Sequence, residues 1–357
     1  MTFIYEYIWL DSSQNFRSKI RVSPNCLLNE ELEWNYDGTS TGQAEIEHSE
    51  ILLKPVAIYS NPFLKKEYSS PHDCMIVLCE SIIEHNGLSA FGSNYQLAKK
   101  IFDNPIVKEN EIWFGLEQEY FFIDPKTNLP FGFGISFEDG NIFNTQPIQP
   151  QGPYYCGIGA NHIICRNIAE EHLMICVQMG LSISGMNFEV AYSQCEYQIG
   201  PVMGIEAANQ LWVSRYMLHK IAEKHHVNIS FHPKPIQSVD WNGSGCHTNV
   251  STKHMRNGNQ HPNHSGMEYI LEAIEKLEHR HHHHMNLYGE YNYLRLTGLN
   301  ETANMNTFSY GVGTRNTSIR IGNKVRREGK GYFEDRRPAS NCDPYLVTSV
   351  IAETILL

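Results

Sequence analysis

The sequence predicts an α+β protein of two domains, and three observations carry that prediction. Its 357 residues, at about 150 per domain, make roughly two domains. The first ~85 residues read mostly as strands and turns. From Tyr95 onward the pattern is mixed, with helical stretches set between strand-like ones. The boundary falls near residues 88–95, giving domains over 1–89 and 96–357. Hydrophobic residues make up 41% and charged residues 19%, which excludes a disordered chain. A net charge of −11 leaves no general basic field and argues against nucleic-acid or anionic-membrane binding.

In chain order, FIYEYIWL is rich in aromatic and β-branched residues and predicts a strand, while NYDGTSTGQA predicts a turn and loop. Asn86-Gly87 marks a break before the connector LSAFGSN. Asn167 is placed to cap the helix IAEEHLMICVQM, which stops at Gly180. Ile205 to His225 reads as one long helix. Met267, Ile270, Leu271, Ile274 and Leu277 follow i, i+3, i+4, i+7, i+10 spacing and predict an amphipathic helix. The histidine-rich tract His279–His284 reads as a solvated helix end.

Nine cysteines, an odd count without a CxxC pair, suit a reducing compartment better than a disulfide framework or structural zinc. No apolar run approaches the ~18–20 residues that span a bilayer. The N-terminus lacks the basic start of a signal peptide, so a cytoplasmic address is expected.

The chemistry is carried by acids at strand spacing. In Glu111–Ile123, even positions hold Ile112, Phe114, Leu116, Tyr120 and Phe122, whereas odd positions hold Trp113, Glu117 and Glu119. Two carboxylates on one strand face repel unless a cation sits between them. One such pair alone would read as a polar surface, but the pattern recurs. Glu189 follows ISGMNFEV's strand pattern, Glu196 sits in the alternating QCEYQIGP, His247, Asn249 and Ser251 share a face, and Glu334 stands beside Arg336. Five carboxylates and one imidazole form an oxygen-dominated set that suits Mg²⁺ or Mn²⁺, with more than one ion needed to neutralise it. Arg295, Arg315, Arg320 and Arg336 lie in polar, glycine-containing stretches, and guanidinium forks bind carboxylate and phosphate. Cations with several arginines point to phosphoryl transfer. There is no P-loop, no dinucleotide-binding glycine fingerprint and no nucleophile elbow.

Nine ordered blocks then resemble one family closely. They are Trp34–Gln43 (WNYDGTSTGQ), Trp113–Tyr120 (WFGLEQEY), Gln151–Gly157 (QGPYYCG), Asn187–Val190 (NFEV), Glu196–Pro201 (EYQIGP), Asn242–Asn249 (NGSGCHTN), Arg295–Gly298 (RLTG), Ser318–Ile321 (SIRI) and Gly331–Pro338 (GYFEDRRP). Together they resemble glutamine synthetases of the eukaryotic type, class II, almost from end to end. The resemblance implies an N-terminal β-grasp domain before a catalytic domain with a curved antiparallel sheet flanked by helices. It implies ATP-dependent ligation of ammonia to L-glutamate through γ-glutamyl phosphate, with Mg²⁺ or Mn²⁺ (roughly two or three per site) and ATP as co-substrate. It further implies a homodecamer of two pentameric rings with active sites between subunits, acting on small molecules and not on nucleic acid or membrane.

Position by position, the resemblance makes Glu117, Glu119, Glu189, Glu196, His247 and Glu334 metal ligands. It makes Trp113, Asn249, Ser251, Arg256, Arg315, Arg320 and Tyr332 nucleotide contacts, and Trp241, Asn242, Gly243, Arg295 and Arg336 glutamate contacts. Asp37, Glu301 and Arg315 take catalytic roles: ammonium binding from the adjacent subunit, flap closure, and contact with the transferred phosphoryl group. Four positions depart from the family pattern. Asn300 stands where His usually precedes the flap acid, Cys195 where Trp is usual, Asp240 where Asn is common, and Gly322-Asn323 where Pro-Arg is usual. Two other readings are weighed: a catalytically silent structural relative, supported only by Asn300, and a ligase that takes an amine in place of ammonia. The complete ligand set opposes the first, and the pair Asp37 and Glu301 opposes the second.

Overall fold

The computed structural model describes residues 2–67, 72–138, 141–145, 151–237, 241–258 and 265–357. Asp240, one of the four departures, lies outside the described residues. The chain divides into two compact units, residues 1–99 with 174–181, and residues 100–173 with 182–357.

The first unit contains β1 (Phe3–Leu10), β2 (Phe16–Ser23), β3 (Trp34–Asp37), β4 (Glu50–Ser60), the short helix α1 (Pro62–Glu67), β5 (Asp73–Ile83) and β6 (Leu88–Ser89). The strand order is β2-β1-β5-β4-β3, with β6 on β5. β1 runs parallel to β5, and the other pairs are antiparallel. This is the strand-rich N-terminal sheet expected, with its parallel pair at the centre. Its aromatic and β-branched sequence makes the core: Tyr7, Trp9, Ile51, Leu53 and Val77 pack together. The stretch expected as loop from Asn35 is partly strand, because Asn35, Tyr36 and Asp37 pair with Leu52, Ile51 and Glu50. The turn begins at Gly38, where a Cβ would come within 2.4 Å of the Ile51 side chain. Only glycine fits that approach, and it seats the Asp37 turn against β4.

The second unit begins within α2 (Tyr95–Phe102) and continues through α3 (Pro105–Glu109), β7 (Trp113–Asp124), β8 (Leu129–Pro130), β9 (Gly134–Glu138), β10 (Asn141–Thr145), α4 (Arg166–Met179, of which the part from residue 174 belongs to the first unit), β11 (Ile183–Phe188), β12 (Gln194–Met203), α5 (Glu206–Lys224), β13 (Asn228–Ser230) and β14 (Cys246–Ser251). There follow α6 (Lys253–Asn257), α7 (Gly266–His279), α8 (His281–Met285), β15 (Tyr310–Val312), β16 (Ile319–Ile321), α9 (Asn323–Glu328), β17 (Phe333–Asp335) and α10 (Pro344–Leu356). Nine strands among the described residues form one curled sheet in the order β11-β12-β7-β14-β17-β16-β15, with β8 and β13 also on β7. All its pairs are antiparallel except β15 with β16. Helices flank it, so the fold is α+β as predicted.

β7 alternates as its sequence requires: Ile112, Phe114, Leu116, Tyr120 and Phe122 are all buried. α5 buries residues on every side, including Leu211, Val213, Met217 and Ile221, which marks it as a core helix. It also buries Arg215, whose guanidinium donates to Gln118 Oε1 at 2.8 Å and to the carbonyls of Ser340 and Cys342 at 2.9 and 2.8 Å. These bonds satisfy a charge that would otherwise be costly in the core. Among the described residues, no helix is long and apolar enough to cross a membrane.

Three local expectations are corrected. Asn167 does not cap α4, which starts one residue earlier at Arg166, although the stop at Gly180 holds with φ +81°. Leu271 lies at the edge of the α7 stripe, 39% exposed, and Ala273 takes its place beside Ile270, Ile274 and Leu277. The histidine tract is not a solvated end. It forms α8, in which His281 and His284 are buried while His282 and His283 face solvent, an i, i+3 pattern hidden by identical residue types. Leu277→Ala is therefore expected to cost about 2–5 kcal/mol in urea unfolding, and Leu271→Ala far less; equal losses would refute this assignment of the helix face.

Candidate functional site

Register across the large sheet lines up the chemical residues. Glu196 on β12 faces Glu119 on β7, Glu117 faces His247 on β14, Asn249 faces Glu334 on β17, and Glu334 faces Arg320 on β16. Cross-strand partners sit about 4.5–5.5 Å apart, so residues distant in sequence form one continuous row. Glu189 joins from the turn after β11, where Asn187 opposes Glu196. Ligand atoms of Glu117, His247 and Glu334 all lie within 4.8 Å of one another. His247 Nδ1 is 3.4 Å from Glu117 and 3.5 Å from Glu334, too far for good hydrogen bonds and suited to a shared third atom.

Burial and like charge act together on this row. Burial, then Glu189, pushes the Glu119 carboxyl up to about 8. Burial, then Glu117, Glu119 and Glu189, pushes Glu196 up to about 9. Burial also raises Glu117 and Glu189. Burial, aided by the Arg336 charge, holds His247 neutral, the form that ligates metals. Acids crowded this way lack positive charge at their centre, and divalent cations are the chemistry that supplies it. The donor set thus fits hard cations.

Neutral side chains hold the acids in place. Gln194 Nε2 donates to Glu119 at 3.1 Å and to the Gly243 carbonyl at 3.0 Å, and the Gly245 N–H donates to Glu119 at 2.8 Å. Gln198 donates to Glu196 and to Asn187, and Asn187 donates to Glu189 at 2.9 Å. Asn249 spends its amide on Glu117 at 2.7 Å. The glutamines were missed as positioning groups, yet Gln194, Glu196 and Gln198 share one face of β12, and period-two spacing marks all three.

The arginines sit at the other end of the row. Arg320 and Arg336 both bind Glu334, at 2.9 and 2.5 Å. Arg320 Nε is buried without a partner among the described residues, an open donor beside this cluster. Arg315 pairs with Glu301 at 2.7 Å, both half-exposed, and Arg336 donates to the Arg315 carbonyl. Glu301 and Asn300 both adopt left-handed φ, +62° and +51°; Asn tolerates that conformation well. Arg295 is buried and donates to the carbonyls of Arg336, Arg337 and Pro338. Its burial lowers its pKa to about 10, opposed by the nearby Glu119. Gly243 packs against Arg295, where a Cβ would meet its Cγ at 2.7 Å, and the Asn242 N–H donates to Gln151. Trp241 is buried against Phe133. Gly245 is wedged between Arg295 Nη1 and His247 Nε2, each 3.1 Å from where a Cβ would stand.

A third group gathers at the start of β7. The Arg256 guanidinium lies 3.9 Å from the Trp113 ring centroid and donates to Ser251 Oγ at 3.1 Å. Tyr332, just before β17, is 48% exposed. Cys195, buried behind Glu196, donates its thiol to the Asn187 carbonyl at 3.2 Å. Asp37 belongs to the first unit. It is exposed and accepts from Thr39 Oγ1 and Ser40 Oγ, both at 2.7 Å, which hold its carboxyl below the usual range.

A curled sheet bearing a row of buried acids, one neutral imidazole and arginines at its end defines an enzyme built for anionic substrates. A family described as "Glutamine synthetase, catalytic domain" matches residues 95–357. Among relatives, a glutamine synthetase cytosolic isozyme of Pinus sylvestris is 46% identical over 357 residues, covering 99% of this chain and 94% of its own. A glutamine synthetase of Eremothecium gossypii is 48% identical over 354 residues (99% and 89%), and one of Saccharomyces cerevisiae is 46% identical over 362 residues (99% and 89%). The chain belongs to the glutamine synthetase family.

Proposed function

We propose that this enzyme condenses L-glutamate with ammonia at the expense of ATP, through γ-glutamyl phosphate, giving glutamine, ADP and phosphate. The observation that carries the reading is the cross-strand row of Glu196, Glu119, Glu117, His247 and Glu334, with arginines at one end. Glu117, Glu119, Glu189, Glu196, His247 and Glu334 would hold Mg²⁺ or Mn²⁺, and those ions would neutralise phosphate oxygens. Trp113, Asn249, Ser251, Arg256, Arg320 and Tyr332 bind the nucleotide, with Arg315 near its transferred phosphate. Trp241, Asn242, Gly243, Arg295 and Arg336 orient glutamate.

A γ-carboxylate oxygen of glutamate attacks the terminal phosphorus and ADP departs. Ammonia then attacks the acyl carbon and phosphate leaves. Asp37 and Glu301 bind ammonium and take its proton, and closure of the Glu301 loop excludes water. On this reading residues 1–89 are the β-grasp domain and 96–357 the catalytic domain. The assembly is a decamer of two pentameric rings, Asp37 reaches a neighbouring subunit's site, and the enzyme works in the cytoplasm.

Phosphate release should require glutamate, ammonia and Mg²⁺ or Mn²⁺ together, and larger amines should not replace ammonia. Asp37→Ala is expected to raise the KM for ammonia by about tenfold or more while nucleotide binding is unchanged. An unaltered ammonia dependence would remove Asp37 from its assigned role.

A further inference from the structure

Behind β17, on the face opposite Glu334, lies a buried polar network that the catalytic reading does not use. Asp335 is fully buried and accepts four hydrogen bonds. Arg337 Nε and Nη2 donate at 2.9 and 2.7 Å, the Arg337 N–H at 3.1 Å, and Tyr288 OH at 2.7 Å. His284 Nδ1 lies 2.6 Å from the Tyr288 oxygen, and its Nε2 lies 2.8 Å from Thr354 Oγ1 on α10. Arg337 Nη1 reaches His281 Nδ1 at 3.0 Å, and His281 Nε2 reaches the Met305 carbonyl at 2.9 Å. The Arg337 guanidinium lies between the Tyr288 and Phe308 rings, 5.2 Å from each.

The donor order follows from the chemistry. Both Asp335 oxygens take hydrogen bonds from the Arg337 guanidinium, which can only donate, so Asp335 is the acceptor. Tyr288 therefore gives it the phenol proton and must accept from His284 Nδ1–H. Burial lowers His284 to about 3, so its Nε2 carries no proton and accepts from Thr354. Arg337 can only donate, so His281 carries its proton on Nε2, toward Met305. The two buried imidazoles are opposite tautomers, and every named group has a partner. A network this complete specifies one geometry.

We propose that Asp335, Arg337, Tyr288 and His284 are positioning residues that hold β17 from its far face, so that Glu334 is presented to His247 and Glu117 ready for a divalent cation. The strand geometry explains why. Successive side chains on a strand point to opposite faces, so whatever fixes Asp335 fixes the direction of Glu334. The same clamp sets the Arg336, Arg337 and Pro338 carbonyls on which Arg295 rests. The inference rests on the reading of Glu117, His247 and Glu334 as cation ligands.

The test is direct Mn²⁺ binding to the metal-free full-length protein, followed by the electron paramagnetic resonance of free Mn²⁺, with unfolding measured in parallel. Tyr288→Phe, which removes one oxygen, is expected to weaken Mn²⁺ binding about tenfold, as orienting partners of metal ligands do. His284→Leu should do the same, whereas His284→Asn, which keeps a donor toward Tyr288, should restore binding. Leu53→Ala, which destabilises the core of the first unit, should leave Mn²⁺ affinity unchanged. Should Tyr288→Phe fail to fold, Thr354→Val perturbs the far end of the chain and should still weaken binding. The inference is overturned if these variants bind Mn²⁺ as tightly as the wild type, or if Leu53→Ala weakens it equally. If Glu334→Gln weakens binding and Tyr288→Phe does not, the positioning inference alone falls. If the wild type binds no Mn²⁺, or Glu334→Gln changes nothing, the reading of the site falls with it.

Discussion

Glu334→Gln is expected to lower the rate of glutamine formation by about 10²–10³-fold, the range seen when a charge-stabilising group is removed from a reacting centre. Glu334 does three things at once. It accepts from Arg320, accepts from Arg336, and stands 3.5 Å from His247. The amide keeps the shape and removes the charge. Both guanidiniums then lose their counter-charge, and the row loses a carboxylate. Coupled measurement of ADP release at saturating glutamate and ammonia checks the effect, and a variant within tenfold of the parent would remove Glu334 from the reacting centre.

His172 and His284 should each make the fold less stable as the pH falls. His172 and His284 are buried, and burial lowers them to about 4 and about 3. An unfolded imidazole binds its proton near 6.5, so between pH 6.5 and 4 the unfolded chain carries protons that the native state refuses. Their contribution to stability therefore falls as pH drops through that window. Each histidine accounts for about 2 kcal/mol between pH 7 and 5, because a one-proton difference between the two states is worth about 1.4 kcal/mol for each pH unit. On unfolding, these two histidines take up about two protons while Glu119 and Glu196, raised to about 8 and about 9, give protons up, so the test, read from urea midpoints across this range, is the change in slope when one histidine is removed. In His172→Gln, whose amide can still donate to the Ser214 carbonyl, the slope should fall by about one proton. An unchanged slope would mean that His172 is charged in the native state.

Much of the fold and of the site is legible in the residues alone. The two-residue period of β7 predicts both its buried face and the placement of Glu117 and Glu119 on the other. The length of α5 and the α7 stripe are legible for a related reason, since burial imposes a pattern on residue type. The register is not legible. Which strand lies beside β7 is decided by pairing across more than a hundred residues, as for Glu117 with His247. Nor does composition separate the buried His281 and His284 from the exposed His282 and His283, because identical residues carry no period. Arg215 is hidden in the same way: its core position depends on carbonyls at Ser340 and Cys342 that no local pattern announces.

Gly245 has a consequence for how this centre can be re-engineered. Even one methyl group there would crowd the guanidinium of Arg295 and the ring of His247 together. Filling the middle of the sheet therefore requires both side chains to give way by a few tenths of an ångström. The rim is more open: Asn300 and Glu301 precede β15, Arg315 follows it, and the Glu301–Arg315 pair is half-exposed.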